Sequence, residues 1–113
     1  MISAVLYKDG DEFTGCRIQG HSGMDESGRD IVCAAASILG TTCVNSLESV
    51  CGVIPRVTEN AEGILSFELP DTEGEQSRGA AILMGALRQG LSDLAEEYPE
   101  YLKLTIKKRR KSQ

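Results

Sequence analysis

Residues 30–50, DIVCAAASILGTTCVNSLESV, decide the fold. They contain no proline, and between Asp30 and Val57 the only other charges are Glu48 and Arg56. The spacing predicts a helix from Asp30 to about Val50. Ile31, Ala35, Ile38, Leu39, Thr42, Ser46 and Val50 form its main stripe, while Cys33, Gly40 and Val44 on the other side are also small or apolar. A helix with no charged face is buried on most sides. In a chain of 113 residues that implies a central helix under a sheet, or one shared with a second subunit.

Working outward, Ile2 to Lys8 reads as an apolar strand, Asp9-Gly10-Asp11 as a turn, and Glu12 to Gly20 as the returning strand of a hairpin. His21 to Arg29 (HSGMDESGR) is a Gly-, Ser- and acid-rich loop. Beyond the helix, Val53 to Glu59 and Gly63 to Leu69 are strands joined by Asn60-Ala61-Glu62 and closed by Pro70. A second helix runs from Glu75 to Tyr98, with Ala80, Leu83, Leu87, Leu91, Leu94 and Tyr98 at helical spacing, and Pro99 stops it. Leu102, Leu104 and Ile106 alternate in a last strand. The order is ββαββαβ, an α+β class with helices packed on a largely antiparallel sheet. Residues 1–106 make one domain, and 107–113 a basic tail expected to be disordered, a solvated and frayed end.

The composition excludes several classes. One domain leaves no room for a separate cofactor domain. Two Phe, three Tyr and no Trp argue against a base-stacking surface for single-stranded nucleic acid. The net charge of −5 is uneven: five of the 12 basic residues stand in 107–113, so the remaining chain sets 17 acids against seven bases, a net of −10. Such a body attracts basic polypeptide and repels nucleic acid, while the tail does the reverse. Cys16, Cys33, Cys43 and Cys51 lack the close pairing of a zinc site and are expected to stay reduced. Neither a signal peptide nor an apolar stretch of bilayer length is read from the sequence. The expected location is the cytoplasm, with no membrane partner, no metal and no cofactor.

Chemistry concentrates at one place. His21, the only histidine, sits in GHSG between Gly20 and Gly23, where glycine lets the backbone turn and leaves room for an approaching chain. Twelve positions on, Cys33 falls in the first turn of the helix. Both a helix N-terminus and a protonated imidazole favour the thiolate, and unpaired amides in that turn suit an oxyanion. Ser27 followed by Asp30 resembles a capping arrangement. Asp30 shares a helix face with Cys33, where its charge opposes thiolate formation, so it is assigned to capping or to orienting His21. Ser37, a turn beyond Cys33, is placed to bond to substrate or to the pair, or back to a helix carbonyl. Cys16, Cys43 and Cys51 read as core residues.

GHSG, then the acidic loop, then GRDIVCAAAS, resembles the signature of the bacterial ribosomal-processing cysteine protease family, Prp. The YPEYLKL segment and the chain size fit as well. The resemblance implies a Cys/His endopeptidase that removes an N-terminal extension from large-subunit ribosomal protein twenty-seven, with apolar residues just before the cut. It implies Cys33 as nucleophile, His21 as general base and acid, and Gly20, Asp30 and Ser37 in support. It further implies a homodimer and a mobile loop that orders on substrate, here including Ser22, Gly23, Gly28 and Arg29. The acidic body suits a basic N-terminal segment as substrate. The family leaves the tail unexplained. A competing reading is a non-enzymatic ribosome-associated module contacting ribosomal RNA through Lys107, Lys108, Arg109, Arg110 and Lys111, with Cys33 as packing. A redox sensor is a third reading, but no resolving cysteine lies near Cys33.

Overall fold

A computed structural model describes residues 1–21 and 30–110. The elements follow the expected order: β1 Ile2–Asp9, β2 Glu12–Gln19, α1 Ile31–Cys51, β3 Arg56–Ala61, β4 Ile64–Glu68, α2 Gly74–Glu97 and β5 Leu102–Lys108. One five-stranded sheet has the order β3-β4-β2-β1-β5, antiparallel throughout except where β5 lies parallel to β1. That is the α+β architecture read from the sequence.

Alternation along the strands sends Ala4, Leu6, Cys16, Ile18 and Phe67 to one face, where they form the core with α1 and α2. Helix α2 buries Ala80, Met84, Leu87 and Leu91 and half-buries Leu83, Leu94 and Tyr98, close to the expected stripe.

Helix α1 differs. Its buried stripe is Val32, Ala36, Gly40, Cys43 and Leu47, whereas Ile31, Ile38 and Val50 of the expected stripe are exposed. The reason is proximity to the sheet: a methyl group on Gly40 would meet Leu65 Cδ2 at 2.8 Å and Ile18 Cδ1 at 2.9 Å. Small residues let the helix lie close, and the larger apolar ones are turned outward. Within one chain α1 is therefore not buried on most sides. Nor is the expectation of no bilayer-length stretch met by composition. Helix α1 has 21 residues and a mean hydropathy of 1.4 in its most apolar window, enough in length and character to cross a membrane. Here its inner face packs in the protein core.

Two boundaries move for local reasons. Val53 does not open β3; its N–H bonds to Leu47 O while Gly52, at φ +69, bonds to Glu48 O, an αL closure of α1. At the other end, β5 runs past Ile106 through Lys107 and Lys108, and Arg109 N–H then bonds to Lys8 O at 2.9 Å. The buried Thr14 hydroxyl donates to Arg109 O at 2.8 Å, and the Arg109 guanidinium lies 4.3 Å from the Tyr7 ring centroid. The basic run expected to be disordered is thus joined to the sheet as far as Arg109; residues 111–113 lie outside the described residues.

Candidate active site

Strand β2 delivers His21. Past Gln19 the chain turns at Gly20, whose φ of +104 and closeness to Met1 O leave no room for a side chain. Gly20 N–H then bonds to Gly63 O at 2.8 Å, tying the end of β2 to the turn between β3 and β4. The His21 ring lies directly over Gly63: a methyl there would meet Nε2 at 2.9 Å and Cε1 at 3.3 Å. Gly63 itself has φ +80, a conformation that favours glycine.

Helix α1 delivers Cys33. Asp30 is the N-cap; its Oδ1 accepts the Cys33 N–H at 2.9 Å and its carbonyl accepts the Ala34 N–H at 3.1 Å. Of the two roles assigned to Asp30, capping is the one observed. Ser27 is not the cap of this helix, and its own position lies outside the described residues. Because Asp30 takes the Cys33 amide, the amides left without intrahelical partners at the first two helical positions are those of Ile31 and Val32.

Gly20, His21, Asp30, Cys33 and Ser37 all line one cleft of about 650 Å³. Ile2, Ile18, Ile64 and Leu65 supply apolar wall, and Asn60 and Glu62 stand on the β3–β4 side. Ser22, Gly23, Gly28 and Arg29, assigned to a mobile loop, lie outside the described residues. The hairpin residues, Gly63 above all, were missed in the sequence. Asn60 to Glu62 read only as a turn, and nothing local marks a turn some 40 positions from His21 as its seat.

The other thiols are set apart by burial. Burial, with a smaller contribution from Cys51, pushes the Cys43 thiol up to about 11. Burial first, then Cys43, also pushes Cys16 up. All four cysteines are free, and Cys33 is half-buried on the cleft.

Fold and cleft together define a class: a small α+β domain offering a helix-N-terminal thiol and an imidazole to one cavity, the groups a thiol hydrolase requires. The chain belongs to the cysteine protease Prp family, whose model matches residues 1–103. Among solved structures it is similar to a Streptococcus mutans protein, at 29% identity and TM-score 0.80, covering 96% of each chain. It is also similar to the essential ribosomal processing protease Prp of Staphylococcus aureus with a covalently linked product peptide, at 26% identity and TM-score 0.84, covering 95% of this chain and 100% of that one. The same S. aureus protease with a substrate peptide matches at 25% identity and TM-score 0.80, with 95% and 100% covered. No curated protein sequence matches the chain.

Proposed function

We propose that this chain is a ribosomal-processing endopeptidase that removes the N-terminal extension of large-subunit ribosomal protein twenty-seven. The observation that carries the reading is that Cys33 and the chain's sole imidazole line the same cleft. His21 accepts the Cys33 Sγ proton, and the thiolate adds to the scissile carbonyl carbon. The resulting oxyanion forms beside the N-terminus of α1, whose positive end stabilises it. The His21 imidazolium then gives its proton to the leaving amine as the C–N bond breaks. Water, deprotonated by His21, hydrolyses the thioester and restores the thiol.

The apolar wall of Ile18, Ile64 and Leu65 suits apolar side chains before the cut, and the S. aureus relative's peptide complexes support a peptide substrate. The reaction takes place in the cytoplasm and calls on no cofactor. A homodimer covers the outer face of α1, where Ile31 and Ile38 are 55% and 63% exposed.

The test is incubation of the purified chain with the extended ribosomal protein, read by intact-mass spectrometry. Loss of one N-terminal fragment is expected. Cys33→Ala abolishes it, and His21→Ala lowers kcat about 10²- to 10⁴-fold. Undiminished cleavage by Cys33→Ala overturns the reading.

A further inference from the structure

The cleft has a direction, and its charge is unevenly placed along it. In the peptidase reading the acyl half of the substrate stays on Cys33, while His21 gives its proton to the leaving amine. Residues before the cut therefore lie on the Cys33 side, and residues after it start at His21. The His21 ring rests on Gly63, where a methyl would meet Nε2 at 2.9 Å. Glu62 is the next residue back along the chain, its Cα about 3.8 Å from that of Gly63, and it lines the same cleft. The leaving half thus departs past the turn between β3 and β4.

Two carboxylates line the cleft among the described residues, and no lysine or arginine does. The two are not equivalent. Asp30 Oδ1 accepts the Cys33 N–H at 2.9 Å and fixes the start of α1. Glu59, the acid of neighbouring strand β3, is held by Arg17 at 2.9 Å. Glu62 is exposed and makes no ion pair or side-chain hydrogen bond among the described residues. Once a bound chain shields it from water, an unpaired carboxylate is penalised unless that chain brings a cation.

We propose that Glu62 is a specificity residue that pairs with a lysine or arginine placed about two or three residues after the cut, since an extended chain advances roughly 3.5 Å per residue and clears His21 to reach the turn within that span. The assignment rests on the peptidase reading and supplies what it lacks, a residue-level cause for preferring a basic segment. The net of −10 outside the last seven residues attracts a polycation to any part of the surface. Glu62 sets where along the peptide the cation must stand.

The test is fluorescence anisotropy of labelled peptides with the full-length Cys33→Ala chain, which binds without turnover. Each peptide has an apolar half followed by Ala-Gly and a pair of lysines, glutamines or glutamates. The lysine peptide is expected to bind about fivefold more tightly than the glutamine one, the range of an exposed ion pair, with the difference shrinking as KCl rises. Glu62→Gln erases the difference, and Glu62→Lys reverses the order so that the glutamate peptide binds best. No binding of any peptide, an equal loss for all three in the Glu62 variants, or an equal gain when the lysines are moved ahead of the apolar half overturns the assignment. Cleavage of the extended ribosomal protein with no such charge preference sinks the role of Glu62 and leaves the peptidase reading standing; charge-selective binding without cleavage does the reverse.

Discussion

At the scale of single residues the molecule distinguishes its thiols by where it puts them. Alkylation consumes the thiolate. A thiol raised to about 11, as Cys43 is, stays protonated near pH 8.5, and it becomes reactive only well above that or once unfolded. Iodoacetamide at pH 8.5 followed by peptide mapping is therefore expected to label Cys33 in the folded chain and to spare Cys16 and Cys43 until urea is added. Equal labelling of all three in the folded chain would contradict this. Gly63 makes the second case. Gly63→Ala pushes against the His21 ring, and kcat should fall on the order of tenfold to a hundredfold, with a shifted pH profile and a smaller change in KM. Gly10→Ala is the control: it too has positive φ, at +63, but open space around it, so strain alone should leave kcat unchanged. The Cys33, His21, Asp30 and Ser37 constellation was legible because its members lie within 17 positions of one another. Gly63 was not, because the contact that gives it meaning exists only after the sheet has formed.

At the scale of elements, caps and termini carry the risk. Asp30→Ala removes the side-chain acceptor at the start of α1 and should cost about 1 kcal/mol in urea denaturation, while Asp30→Asn, an equally good cap, should cost little. A similar loss in both variants would mean that the carboxylate charge, not the cap, is what matters. The far end of the sheet behaves alike. Truncation after Lys108 leaves the buried Thr14 hydroxyl without the Arg109 carbonyl and should cost about 1–3 kcal/mol, whereas truncation after Arg110 should be nearly silent. Equal melting temperatures for the two truncations would refute this. Periodicity made α2 readable, since its large apolar residues other than Ile82 face the core. It misled on α1, where closeness to Leu65 and Ile18 places Ala36 and Gly40 inside and sends Ile38 out. Hydrophobic size is a poor guide where the backbone itself makes the contact. The basic run after Ile106 was read as loose for a related reason: what holds it is backbone pairing with β1, which charge patterning does not reveal.

At the scale of the whole molecule, charge is divided unevenly along the chain. The net of −10 outside the last seven residues favours capture of a basic peptide. Raising ionic strength from about 0.01 M to 0.15 M shortens the Debye length from ~30 Å to ~8 Å. Over that range kcat/KM for a lysine-rich substrate peptide should fall, and for an uncharged analogue stay level; equal response of the two would remove the role of steering. The order of elements and the fold class were legible throughout, but strand order was not, because alternation shows which face a strand buries and not which neighbour it takes. That order has a kinetic consequence. Strand β1 is flanked by β2, which follows at once, and by β5, whose Leu102 meets Ile2 across 100 positions of chain. The first pairing closes a short loop and the second a very long one, so the hairpin forms early and the parallel seam late. Until residues 102–108 arrive, one side of β1 is an open template for another strand, and the folding chain is most exposed to misassembly in that interval.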